Sequence, residues 1–510
     1  MKKLILTFLL INFIFGLKVL KHKCRHDKIK QTQKYDSLPP VESIDFRNLQ
    51  NKKPRDMLIT YDMSFFKKLP NNDYNQKLIA TIEKALQLAT DYFSRLIKIY
   101  PKSQQNMRYI QNQSKCGEVI ITQVDRIQGK NSDLHLYVSY SEVVDDDYLA
   151  QAIWCQFLQG LGPTHGEVNF NLAQLKSQNI SDAIQFEDLM EIVIHEITHV
   201  LGFMDTDIPK WVTSDGKPHV QPTIKATIRG VENLLIKTPN VLNFARKYFG
   251  CPTLLGMPLH NQDGIGTANC HWKSSDIQNE YMNPSTSPTQ AYFSGFTANL
   301  LRDTGFYAEI NTSMEEQTFY GKGVGCNHIM GQCNSSTREY CNPQTDDGLC
   351  DYYHHGSSKC HNDSGCNILV TYTNTKCWNV QSNQNTQEAR QKYGVKYGID
   401  SRCFNGSLKT QNYEPNNQII GECYKYECKS NKQQVDIWVG QDKQTCQKNS
   451  QKLQYKGYSG HIQCPKNIQD FCNFKKFCPG FCNGNGYCLK DKCYCAKGFS
   501  GNDCSIKKAS

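Results

Sequence analysis

The sequence predicts an α+β protein, with a mixed sheet and one deeply buried helix in residues 56–325 and a disulfide-rich region after them. Three observations carry this. Apolar residues recur at three- and four-residue spacing over 74–99 and again over 186–201, the mark of helices with a buried face. Between those segments, short alternating runs read as strands. The 24 cysteines are sparse before Cys326 and dense after it, as in loop-rich domains stapled in an oxidising compartment. With 510 residues and a hydrophobic fraction of 39%, the chain can hold several domains with their own cores.

In chain order, Lys2 and Lys3 precede an apolar run over 4–17, the shape of a secretory signal peptide and short for a spanning helix. We place that peptide at 1–18. Residues 19–55 are polar and poorly patterned, as in a pro-segment. The unit over 56–202 opens with a strand at 57–61. Leu78, Ile82, Ala85, Leu86, Ala89, Phe93, Leu96 and Ile97 then define the helix over 74–99. Strands are expected at 118–124, 134–139 and 166–170, with His135 a structural histidine inside the second. The second helix covers 186–201. Residues 203–325 mix helical pieces with loops, and 326–471 form a Cys-rich domain. Over 472–510 the spacing Cys478-x3-Cys482-x5-Cys488-x4-Cys493-x-Cys495-x8-Cys504 resembles an EGF-like module. That resemblance implies pairing of first to third, second to fourth and fifth to sixth cysteine.

Lysine and arginine (58) exceed aspartate and glutamate (48) only modestly and without runs of like charge, so no nucleic-acid partner is expected. No later run is long and apolar enough to cross a bilayer, and residues 505–510 lack the hydrophobic tail of a lipid-anchor signal. The expected mature chain is secreted and has no transmembrane anchor. Six Asn-x-Ser/Thr sequons, at Asn112, Asn179, Asn311, Asn334, Asn362 and Asn405, make it a candidate glycoprotein.

The chemistry concentrates in His195-Glu-Ile-Thr-His199. Positions i and i+4 of a helix share a face, so two imidazoles there can grip one Zn²⁺ ion. Glu196, beside the first histidine, can act as general base on a zinc-polarised water without ligating the metal. Leu189, Ile192, Val193 and Val200 supply the apolar remainder that buries this helix. A hydrolytic zinc takes three protein ligands and keeps one open position. Gly202 is suited to end the helix and turn the chain back. Asp205 stands where a compact motif would place a third histidine, so the third ligand lies downstream, with His219, His260 and His271 as candidates.

Two later stretches narrow the choice: Gly266-Thr-Ala-Asn-Cys-His271 and Gln278-Asn-Glu-Tyr-Met282-Asn-Pro284. With them go Lys21-His-Lys-Cys24-Arg-His-Asp27 near the start and Leu301-Arg-Asp-Thr-Gly-Phe-Tyr307 further on. In this order they resemble the leishmanolysin-like peptidases, metzincins with a long insertion between the glycine and the third histidine. The stretch 203–270 is about the size of that insertion. The resemblance implies a metzincin-like unit, His271 as third ligand, Met282 as the Met-turn methionine, and hydrolysis of peptide bonds in protein or peptide substrates. It also implies a pro-segment in which Cys24 can act as a cysteine switch, a thiolate occupying the position that water needs. Cys270 departs from the family pattern. Discarding Cys24 leaves an odd number of cysteines, and Cys270 is the candidate to stand outside the disulfides. A gluzincin would use a carboxylate such as Glu280 instead, but the fuller motif of that family is missing around it. The other reading is a secreted adhesive glycoprotein on a protease-like scaffold, touching a cell surface or matrix through its Cys-rich and EGF-like regions.

Overall fold

The computed structural model describes residues 35–40, 53–103, 105–145, 148–176, 179–180, 182–262, 268–284, 291–414 and 418–508. The expected signal peptide, most of the pro-segment including Cys24, and Gly266 lie outside these residues.

Helix α1 (Asp73–Leu96) begins where the Asn72 side chain accepts the Asn75 backbone N–H at 2.9 Å. Its buried stripe is the one expected, from Leu78 to Leu96. The helix stops three residues earlier than the periodicity suggests. Ile97–Ile99 instead forms a strand between Arg55–Asp56 and Glu309–Ile310, its two isoleucines buried and Lys98 exposed. β-branched residues alternating about a lysine fit a pleat better than a helical turn.

A five-stranded sheet lies beside α1. It comprises β1 (Ser37–Leu38), β2 (Ile59–Asp62), β3 (Leu134–Ser141), β4 (Ala150–Leu158) and β5 (Gly162–Asn171), in the order β1-β4-β5-β3-β2. Only β4 and β5 pair antiparallel; the other neighbours run parallel. β4 was not anticipated, because it is buried on both faces and so lacks the alternation that betrays a half-buried strand. The strand expected at 118–124 shrinks to Val119–Ile120. Thr122 there accepts the Asp125 N–H at 3.2 Å and starts the short helix Gln123–Ile127. A local cap has won over strand pairing. The Cys116–Cys155 disulfide ties this loop to β4.

Helix α2 (Ala183–Val200) packs against α1 and across β4 and β5. Asp182 caps it by accepting the N–H groups of Ile184 (3.0 Å) and Gln185 (3.3 Å). Beyond it come a hairpin (Thr223–Ile228 with Val231–Ile236), α3 (Pro239–Phe249) and α4 (Gly295–Asp303), with Cys251–Cys326 closing this part.

The Cys-rich region is more regular than its sequence texture suggests. A hairpin (Gly356–Asp363 with Cys366–Lys376) precedes a six-stranded sheet that includes Ser401–Gly406, Ile420–Cys428 and Val435–Val439. Its core is separate and aromatic, with Tyr353, Phe404, Phe471 and Phe474 among its members. At the C-terminal end, Cys478–Cys488, Cys482–Cys493 and Cys495–Cys504 reproduce the pairing implied by the EGF-like spacing.

Candidate metal centre

Helix α2 supplies the first two imidazoles. His195 and His199 sit one turn apart, and their Nε2 atoms are 3.0 Å from each other. The helix ends at Val200, and Gly202 takes φ +122°, a value that β-carbon-bearing residues rarely adopt. Through this turn the Phe203 carbonyl comes back to His199 Nδ1 at 2.8 Å. His271 arrives from the far end of the insertion, with its Nε2 3.2 Å from both of the others. All three rings are buried.

The outer nitrogens decide the protonation. His195 Nδ1 lies 2.6 Å from the Tyr281 carbonyl and His199 Nδ1 2.8 Å from that of Phe203. A carbonyl only accepts, so both Nδ1 atoms carry the proton and both Nε2 lone pairs turn toward each other. Lone pairs 3.0 Å apart repel unless they share a cation. For zinc bound at 2.0–2.1 Å with tetrahedral angles, nitrogens would stand about 3.3 Å apart, close to the separations found. The donor set fits the ion. Carbonyls behind the ring N–H groups are the usual outer support of metal-bound histidines.

Glu196 is fully buried beside His195. Burial pushes its carboxyl up to about 8, with His195 and the Ala152 N–H pulling it partly back. Ala152 belongs to β4, so that strand borders the site. Burial thus favours the neutral acid, while a cation held by the three rings would favour the carboxylate that a base requires.

Sequence comparison places this geometry. A family model described as leishmanolysin matches residues 71–363. The chain belongs to the leishmanolysin family. That family comprises zinc metalloendopeptidases, and its matched region holds all three histidines. A ciliated left-right organizer metallopeptidase of Danio rerio is 28% identical over 303 residues, covering 56% of this chain and 46% of that protein. A leishmanolysin homolog of Crithidia fasciculata is 30% identical over 228 residues, 43% of this chain and 31% of that one. Leishmanolysin of Leishmania major is 26% identical over 220 residues, 43% and 34% of the two chains. The chain spans about half the length of these leishmanolysin-family relatives or less. A teneurin-like EGF domain model matches residues 478–507.

Of the candidate histidines, the structure brings His271 to the pair on α2. His219 instead places Nε2 2.8 Å from the Asp303 carbonyl, and His260 places Nδ1 3.7 Å from Asp363. Glu280 is spent elsewhere: it accepts the Met282 N–H at 2.5 Å, Ser294 Oγ at 2.8 Å and Thr297 Oγ1 at 2.6 Å. Met282 is fully buried, and its carbonyl accepts the N–H of Trp272, the residue after His271. Asp205 does not join the three histidines. Cys270 stands outside the eleven disulfides of the described residues, its Sγ 3.3 Å from His271 Nδ1.

The sequence missed Tyr281, whose carbonyl faces His195 and whose hydroxyl lies 2.9 Å from Thr198 Oγ1. Its place beside Met282 was the available signal. The contributions of Phe203 and Ala152 are made by backbone, which no residue type announces.

Proposed function

We propose that this chain is a secreted zinc-dependent metalloendopeptidase in which His195, His199 and His271 hold the metal and Glu196 is the general base. The carrying observation is the convergence of three Nε2 atoms beside a buried glutamate. Zinc bound there supplies a Lewis acid that polarises water and the scissile carbonyl. Glu196 takes the proton from the attacking water and delivers it to the leaving amine. Tyr281 and Phe203 fix the imidazoles through their carbonyls, and the turn around Met282 supports His271. The layout is a signal peptide at 1–18, a pro-segment at 19–55, a catalytic unit at 56–202 and 203–325, a Cys-rich domain at 326–471 and an EGF-like module at 472–510.

Cys24 is assigned as the latency thiol of this site. Support comes from β1, which joins the edge of β4 in parallel, Ser37 opposite Phe157 and Leu38 opposite Leu158. Tyr35 and Asp36, the described residues before β1, therefore lie toward the Ala152 end of β4. Five strand residues from Phe157 to Ala152 cover roughly 17 Å, whereas the stretch 24–36 spans up to about 40 Å when extended. Cys24 can reach.

The test is casein zymography of the processed chain with and without a zinc chelator, beside its zinc content. Chelator-sensitive clearing with about one zinc per chain is expected. A folded chain with zinc and no clearing on any protein substrate would favour the adhesive reading, with the Cys-rich and EGF-like regions as its contact surface.

A further inference from the structure

The EGF-like module does not hang from the chain. Tyr487, Leu489 and Ala496 are buried in the same apolar core as α1 and α2. Tyr487 meets Tyr92 of α1 edge to face at 5.5 Å, and the Arg95 guanidinium lies over Tyr494 at 5.0 Å. Lys84 Nζ donates to Asn485 at 3.1 Å. Gly484 sits so near the first turn of α2 that an added Cβ would lie 3.6 Å from Ala183 and Phe186.

A polar chain continues from this contact to the metal centre. Glu316 accepts the Lys490 N–H of the module at 3.1 Å, Lys475 Nζ at 3.0 Å and the Phe293 N–H at 3.0 Å. Lys475, a buried residue just before the first of the module's six paired cysteines, also donates Nζ to the Ala291 carbonyl at 3.0 Å and its N–H to Tyr292 Oη at 2.9 Å. Ala291 in turn donates its N–H to Glu191 of α2 at 2.9 Å. The Tyr292 carbonyl accepts the Tyr281 N–H at 3.1 Å, and the Tyr281 carbonyl is the one that holds His195.

We propose that the EGF-like module braces the metal centre, with Lys475 as the positioning residue that fixes the 291–293 segment and, through Tyr281, the ring of His195. Glu316 holds the ammonium at 3.0 Å, and Glu191 and Glu187 line the same small cavity. A buried cation held by the Glu316 carboxylate and the Ala291 carbonyl, with two further acids in the same cavity, has little freedom, which suits a brace. The inference rests on the zinc site proposed above.

The experiment uses the full chain, processed, in three forms: wild type, Lys475→Met and Tyr487→Leu. Zinc affinity is read by chelator competition, turnover on a quenched peptide, and folding by circular dichroism. Lys475→Met is expected to weaken zinc binding about 10-fold and to lower kcat about 10-fold, with KM changed less than about twofold. Tyr487→Leu, which keeps the charges and loosens the module, is expected to move both values the same way by a smaller factor. Folded variants that melt earlier yet keep wild-type zinc affinity and kcat would overturn the brace. So would a Tyr487→Leu protein with wild-type values should Lys475→Met fail to fold. A wild type that binds no stoichiometric zinc would instead overturn the metal site on which the inference rests.

Discussion

At the scale of residues, the proposed site separates holding from proton transfer. Glu196→Gln keeps the shape and removes the base, so turnover should fall by about 10²–10⁴-fold while zinc content stays near that of wild type. A variant that keeps most of its turnover would remove Glu196 from the mechanism. His271→Ala should strip the metal, whereas His219→Ala, whose ring lies at Asp303, should leave it bound; inductively coupled plasma analysis of the two purified proteins decides. A different buried acid makes a pH prediction. Burial pushes Glu167 of β5 up to about 7, with donors from Ser139 and the Glu118 N–H drawing it back. The folded state then holds a proton that the unfolded state loses above the ordinary glutamate value of 4.5. Stability conferred by the neutral form is present below about 4.5 and is lost as pH rises through about 7. Glu167→Gln should therefore match wild type at pH 4 and exceed it at pH 8 by on the order of 2–3 kcal/mol in denaturant unfolding. Equal stabilities at pH 8 would show that Glu167 carries its charge at little cost.

At the scale of elements, α2 is positioned by its cap as well as by its apolar side. Asp182→Ala should cost about 0.5–2 kcal/mol, seen as a lower thermal midpoint with zinc still bound. What was legible in the sequence follows from how each element is buried. α1 could be read because one face is wet, and its Leu78-to-Leu96 stripe stands out. α2 could be read because two histidines at i and i+4 sit on an apolar run. β4 could not, since both faces are covered and periodicity vanishes. The Cys-rich strands were hidden for another reason: aromatics and cysteines share their small core with scattered aliphatic residues, so few long apolar periods form. At the site itself, the three histidines came from motif order, while the carbonyls of Tyr281 and Phe203 had no side-chain signature to read.

At the scale of the whole molecule, β1 lies on the edge of β4, and residues 479–489 lie on α2. With Cys24 as latency thiol, a pro-form carrying Cys24→Ser should be active before processing, and wild type should stay silent until a mercurial or a protease releases it. Equal silence in both would leave the β1 contact on the edge of β4 as the sole block. The docking of residues 484–489 on α2 has a consequence for biosynthesis. A ribosome releases α2 long before it makes the residues that cover it. At roughly 5–20 residues per second the interval lasts some tens of seconds. Throughout it, the flank of α2 that meets residues 484–489 has no native cover, and three disulfides of the covering piece are still to form. A secreted chain would need lumenal chaperones until residues 478–504 are oxidised, and a metal centre braced by them would be completed only after they emerge.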